Sequence, residues 1–290
     1  MKNQVVKITY QSQFRKPIDI ADLFFDIDEI DIKKIEESFR EHGVVAITTK
    51  EKNKKAQDAF DALYENKKIS REIDRFNGVN FCTDQELDPA ILSIESDKTI
   101  LDVVSRLLHD GGAQKHLQPT ILNSKLLVKD ARFSGEVFLH QDSCYQFGGR
   151  KVTVFFPLCD LTDPELNAAT IKILLGTHKF GHLGDAGEIN REVLEESWPE
   201  FEMKVREHTY VLMDPSSWHY SNSSALKNKP RSIYTFTYVE NSALSKRLPG
   251  CRDDINRNAF TEGEVFIRSR VSRLKELQKT VDAANENSSG

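Results

Sequence analysis

The sequence is short of the features that settle a protein's class at a glance. Its four cysteines, Cys82, Cys144, Cys159 and Cys251, stand far apart with no C-x-x-C pair. That spacing excludes a zinc knuckle and a thioredoxin-type motif. It fits free thiols in a reducing compartment, with the cytoplasm as the simplest expectation. No run approaches the roughly 20 apolar residues of a membrane-spanning helix. The opening MKNQVVKITYQS carries a lysine but no apolar core, so a secretory leader is not expected. Basic residues are scattered, the net charge is -5, and no block forms a stripe for nucleic acid. Neither a membrane nor a nucleic acid is therefore expected as partner.

What remains is an ordinary globular composition over 290 residues, enough for one large domain. In IDEIDIKKIEESFREHG, Ile32, Ile35 and Phe39 recur at helical spacing and Gly43 stops the helix; the β-branched VVAITT follows as a strand. Residues 51 to 75 are charged with scattered apolar positions and are expected to be helical. Ile100, Val103, Val104, Leu107 and Leu108 predict an amphipathic helix over residues 97 to 110. From 120 to 240 the character changes to short β-rich runs, among them EVFLHQD, KVTVFFPLCDL, ATIKILLG, TYVLMDP and RSIYTFTYVE. Many short strands predict a sandwich, barrel or jelly roll. The stretch 181 to 207 is longer than a turn and is expected to be a partly helical excursion, of the kind that often forms a lid. Ile267, Val271, Leu274, Leu277 and Val281 predict a C-terminal helix within 262–286. The plainer reading docks it on its own core; the alternative is a homodimer contact. The organisation expected is thus one domain: N-terminal helical and strand support over 1–119, a jelly-roll core over 120–240, and the C-terminal helix.

The run VFLHQDSCYQFGG places His140 and Asp142 two apart among apolar and aromatic residues. On a strand the two project to the same face while Gln141 points the other way. They can then take neighbouring sites on one metal ion, and one further histidine completes the 2-His-1-carboxylate triad of non-haem Fe(II) enzymes. His42, His109, His116 and His208 sit beside glycine turns or at a strand start. His178 and His182 form H-x-x-x-H, but Gly181 interrupts it and no glutamate accompanies it, so a zinc-protease reading is poor. His219, in MDPSSWHYSNSS, follows a strand and a proline turn. Twelve positions on, Arg231 enters an aromatic β-rich run. An arginine buried there needs an anion. A metal-chelated dicarboxylate supplies one, and its far carboxylate pairs with a guanidinium better than with an ammonium.

With these residues in order, the chain resembles the phytanoyl-CoA dioxygenase-like branch of the Fe(II)/2-oxoglutarate-dependent oxygenases, over roughly residues 30 to 240. SFREHGVVAITT resembles that family's opening helix and strand. LHQDSCYQF resembles its proximal ligand strand, and VLMDPSSWHYSNSSALKNKPR its distal histidine strand and following arginine. The usual Asn-Gly is Asn167-Ala168 here, and the usual Pro-Gly-Ser-His is Leu175-Gly176-Thr177-His178. The resemblance implies a double-stranded β-helix, mainly β with flanking helices. It implies His140, Asp142 and His219 as iron ligands, Arg231 as the 2-oxoglutarate anchor, and Thr153 as a further cosubstrate contact. It also implies O2-dependent oxidation that releases succinate and CO2. Family members that halogenate lack the carboxylate ligand, so Asp142 favours hydroxylation, with desaturation, epoxidation, ring closure or peroxide formation open at the same site. A cupin-like isomerase or binding protein remains the reading of another class.

The substrate is expected to be a small metabolite or natural-product intermediate. Tyr145, Phe147, Phe155, Trp218, Tyr220 and Tyr234 flank the motif, as pocket walls or as core. Lys125, Lys129, Arg132 and Arg150 fall near the expected mouth, where a solvated rim is the plainer reading and an anionic substrate the sharper one.

Overall fold

A computed structural model describes residues 18–49, 54–65, 72–73, 79–81, 90, 93–109, 119–130, 135–142, 150–167, 169–180, 189, 191, 194–223, 226 and 229–240. The expected C-terminal helix lies outside them, as do Tyr145, Phe147, Arg132, His116 and His182.

Helix α1 (Ile32–His42) starts where Asp31 accepts the Lys34 N–H at 3.2 Å, and it buries Ile35 and Phe39. It ends at Gly43, whose φ of 77° lets its N–H reach the Phe39 carbonyl at 2.7 Å. Helices α2 (Lys54–Glu65) and α3 (Lys98–His109) follow; α3 buries the five apolar residues that its periodicity marked.

Eight strands form the larger sheet. In chain order they are β1 (Phe24–Asp26), β2 (Val44–Thr48), β3 (Glu72–Ile73), β4 (Val79–Phe81), β5 (Pro119–Lys129), β7 (Lys151–Pro157), β10 (Thr209–Met213) and β12 (Arg231–Glu240). Their spatial order is β1-β2-β10-β7-β12-β5-β4-β3. Strands β6 (Val137–His140), β8 (Ile171–Leu174), β9 (Glu200–Glu202) and β11 (His219–Ser221) form a second sheet, ordered β6-β11-β8-β9. A short helix, α4 (Pro164–Asn167), leads into β8. Apart from the parallel β1–β2 pair, the ladders are antiparallel. The result is the double-stranded β-helix, or jelly roll, that the sequence predicts.

Alternation along the strands divides the core in two. Val152, Val154, Phe156, Tyr210, Leu212, Tyr234, Phe236 and Tyr238 face the helices, packed with Ile35, Ile100, Val104 and Leu108. The residues between them, Phe155, Val211, Met213 and Ile233, face the second sheet and meet Ile171, Ile173 and Phe201. Buried tyrosine hydroxyls need partners. Tyr234 donates to Glu95 Oε1 at 2.6 Å, Tyr210 to the Ile94 carbonyl at 3.2 Å, and Tyr238 to the Glu95 carbonyl. These bonds pin the turn before α3 to the outer face of the sheet.

The segment 181 to 207 departs from expectation. Among its described residues there is a strand, β9, rather than a helix. Phe201, Met203 and Val205 point inward in strict alternation and are buried. This part of the excursion is core and not a lid.

Candidate metal centre and cosubstrate channel

The second sheet brings two histidines together. His219 opens β11 and pairs in register with His140, which closes β6, and the ladder shifts register immediately after. The ring centroids lie 4.2 Å apart. Asp142 follows β6 by two residues, just past the strand end, and its carboxylate turns back between the rings. Its Oδ1 is 3.7 Å from His140 Nε2 and 3.5 Å from His219 Nε2. The three ligand-capable atoms all lie within 4.8 Å of one another.

Backbone carbonyls set the tautomers. His140 Nδ1 lies 2.7 Å from the Phe138 carbonyl and His219 Nδ1 lies 3.0 Å from the Ser217 carbonyl. A carbonyl oxygen only accepts, so each Nδ1 donates its proton and each Nε2 keeps a lone pair aimed at the centre. Two imidazole nitrogens and one carboxylate oxygen suit a divalent transition metal. Ligand atoms at about 2.1 Å from an ion stand about 3 Å apart when cis, so the Asp142 oxygen, at 3.7 and 3.5 Å, needs to close on each ring by only roughly half an ångström or a little more.

Electrostatics agree with that use. Burial, aided by the neighbouring His219, lowers the His140 pKa and favours the neutral, ligating ring. Burial works against the Asp142 carboxylate, but the two rings outweigh it and hold its carboxyl well below the usual range. Burial likewise opposes the charged His219 ring, and the adjacent Asp142 carboxylate reverses this and raises its pKa. The Asp142 side chain is 36% exposed and that of His219 6%, so Asp142 is the more accessible of the two ligand candidates.

Surrounding bonds hold the ligands in place. Gln141, between the two proximal candidates, points away and donates to the Ser216 carbonyl at 2.6 Å. Thr177 Oγ1 accepts the Trp218 N–H at 2.9 Å and donates to the Leu174 carbonyl at 2.7 Å. The Leu175-Gly176-Thr177-His178 segment thus braces the residue before His219. Gly43 packs tightly on the same loop: a Cβ there would lie 2.6 Å from Ser217 Oγ and 2.5 Å from His178 Nδ1. His178 itself lies in a short 3-10 turn (Thr177–Phe180), with Nε2 3.0 Å from the Arg40 carbonyl, away from the centre.

Arg231 opens β12 on the face turned to the second sheet, like Ile233 two residues on. It is 3% exposed; one guanidinium N–H donates to the Ala169 carbonyl at 2.8 Å, and its Nε has no acceptor among the described residues. Burial pushes its pKa down to about 10, which still leaves it charged at neutral pH. Thr153 lies on the same inner face, buried, with its hydroxyl 3.2 Å from that of Thr237.

Of the six flanking aromatics named above, Phe155 stands beside the centre, its ring 6.3 Å from that of His219; Phe138 on β6 also lies close, its ring 5.9 Å from that of His140. Tyr234 faces the helices, Trp218 packs with Leu139, Leu174, Leu194 and Trp198, and Tyr220 hydrogen-bonds Glu200 at 3.1 Å. Arg150 is exposed. Lys129 corrects the expectation of a solvated rim: it is 1% exposed and lies between the sheets. Residue type misled there, since lysine is rarely buried. The signal available was parity, because Lys129 shares a strand face with the inward Leu127.

No family model matches the sequence, and no curated protein matches it. Solved structures do. The non-heme alpha ketoglutarate dependent carbocyclase SnoK from nogalamycin biosynthesis matches with a TM-score of 0.56 at 15% identity, covering 74% of this chain and 85% of that one. The non-heme alpha ketoglutarate dependent epimerase SnoN from the same biosynthesis matches at 0.55 and 15%, covering 78% and 92%. HygX from Streptomyces hygroscopicus, solved with nickel, 2-oxoglutarate and hygromycin B bound, matches at 0.50 and 14%, covering 70% and 85%. The fold is therefore the jelly roll that these enzymes share.

Proposed function

We propose that the protein is an Fe(II)- and 2-oxoglutarate-dependent oxygenase that oxidises a C–H bond of a small molecule, with hydroxylation as its reaction. The observation that carries this reading is the converged set His140, Asp142 and His219, with both Nε2 atoms freed by carbonyl-bound Nδ1 atoms. In this reading the three side chains hold the iron on one face and leave the opposite face to cosubstrate and O2. When bound, the iron supplies O2-dependent oxidation coupled to conversion of 2-oxoglutarate to succinate and CO2. Arg231 receives the far carboxylate of the cosubstrate, which answers its unpartnered Nε. Phe155 and the apolar inner strands shield the centre from water, and the exposed edge at Asp142 is where substrate enters.

Several jelly-roll neighbours carry related chemistries in their names, a carbocyclase and an epimerase among them. Asp142 occupies the third ligand position, which a halogenating site would leave to a halide. The test is anaerobic. Fe(II) and then 2-oxoglutarate are added to the metal-free protein, and the visible charge-transfer band of the chelate is sought. A band that weakens in Asp142→Ala and in Arg231→Ala is the expected result. A metal-loaded protein with no band would refute the oxygenase and leave a metal-dependent isomerase or binding protein.

A further inference from the structure

The inner face of the larger sheet carries a second buried cation. Lys129 closes β5 and stands directly opposite Arg231 in the β5–β12 register. Opposite residues on neighbouring strands point to the same face, with Cα atoms about 4.5–5.5 Å apart. Both side chains therefore enter the space between the sheets, and both are buried, at 1% and 3% exposure. Arg231 reaches the Ala169 carbonyl, just before β8. The Lys129 ammonium donates to Ser221 Oγ and to the Asn222 carbonyl, both at 2.9 Å. Ser221 is two residues along β11 from His219, so the ammonium is tied to the strand that carries the distal histidine.

These contacts do not account for the charge. Among the described residues no carboxylate forms an ion pair with either cation. The influence of Glu136 on Lys129 ranks after burial and Arg231, and its position is exposed. Like charges placed opposite each other across strands are destabilising, and buried unpaired charges more so. A neutral donor would serve Ser221 and the Asn222 carbonyl without that cost. An ammonium has three donors, of which two are used among the described residues, and among them the neighbouring Arg231 Nε has no acceptor. Free donors on two adjacent cations, facing inward, define a receptor for one carboxylate.

We propose that Lys129 is a second anchor, beside Arg231, for the far carboxylate of the dicarboxylate cosubstrate. The inference rests on the 2-oxoglutarate reading above and deepens it: the channel recognises its acid with an arginine–lysine pair. Burial and the adjacent Arg231 push the Lys129 pKa down to about 7, and a carboxylate arriving between the two reverses both pressures.

The experiment compares two acids on the metal-loaded, full-length protein under anaerobic conditions. 2-Oxoglutarate has the far carboxylate; 2-oxobutyrate keeps the keto-acid end and lacks it. Dissociation constants are read from the chelate band. In Lys129→Met, 2-oxoglutarate binding is expected to weaken by about tenfold or more while 2-oxobutyrate binding is unchanged, so the preference collapses. Lys129→Arg retains the preference. Should Lys129→Met not fold, Lys129→Gln, which keeps neutral N–H donors on the same face, reads the same ratio. A preference within twofold of the parent in the neutral variants overturns the inference, and so does an equal weakening of both acids, which marks a purely structural tie. A parent protein that binds metal yet shows no band with either acid overturns the oxygenase reading, and the inference with it.

Discussion

The His140 and His219 rings face each other across one rung of the β6–β11 ladder, and the Asp142 carboxylate lies 3.7 Å from one and 3.5 Å from the other. Each ring is oriented by its own backbone carbonyl, so the pair is preorganised without an ion. The carboxylate is the part held least firmly, since it follows the strand end and is the most exposed of the three. Asp142→Ala should therefore leave both imidazoles in place and still weaken Fe(II) binding by more than the roughly 10–100-fold typical of losing an outer partner. Competition against a chromophoric chelator measures this. Affinity within threefold of the parent would remove Asp142 from the ligand set.

Metal binding should release a proton. In the metal-free protein the Asp142 carboxylate raises the His219 pKa above the ordinary value of 6.5. A metal needs the His219 Nε2 lone pair, so it displaces the proton held there below that raised value. Apparent affinity should rise with pH up to the His219 pKa, by at most about tenfold per unit, and then level. Isothermal titration in buffers of different ionisation enthalpy counts the protons released. A flat profile between pH 6 and 7 would show that His219 is not titrating against the metal.

Thr177 gives a prediction about positioning. Its hydroxyl accepts the Trp218 N–H in a buried setting. Thr177→Val keeps the shape and orphans that donor, at a cost of about 1–3 kcal/mol in thermal or denaturant unfolding. The strand it braces carries His219, so metal affinity should fall as well, while Thr177→Ser should restore both. Loss of stability with unchanged metal affinity would limit Thr177 to the scaffold.

Much of this centre could be read from the chain because its parts are local or strongly patterned. His140 and Asp142 are two apart, and α1 and α3 announce themselves by apolar spacing. The long strands are dense in β-branched and aromatic residues. What escaped notice was short or contrary to residue type. Strand β9 has three residues, too few to show alternation against charged neighbours. Around β9, Glu200, Glu202 and Lys204 disguised the inward Phe201, Met203 and Val205. Lysine at 129 suggests a rim by residue type; its parity with Leu127 points inward, and its pairing with Arg231, a tertiary fact, makes it an interior cation.

Gly43 joins the helix end to the centre. Its φ of 77° suits glycine, and any Cβ would press into Ser217 Oγ and His178 Nδ1. Gly43→Ala should destabilise the protein by at least about 1 kcal/mol. Ser217 supplies the carbonyl that orients His219, so metal binding should weaken too. An unfolding midpoint equal to the parent's would mean the loop yields freely, and the proposed link from α1 to His219 would fail.

Lys129 carries the opposite expectation for stability. In the unfolded chain a lysine keeps its proton to about pH 10.4; in the folded, ligand-free protein the value is about 7. Between those two values the unfolded state binds the extra proton, so stability rises as pH increases through this window. Below pH 7 the full cost of the buried charge is present, and above the unfolded value it is gone. Lys129→Met removes the charge, so the ligand-free variant should unfold at a higher temperature than the parent at pH 6 to 7. The gap between the two should close as pH approaches 10. A residue that costs the empty protein stability while favouring one ligand is the trade-off expected of a binding site. Parallel melting curves for parent and variant across that range would instead show that Lys129 stays protonated inside the barrel, already neutralised by an anion of its own.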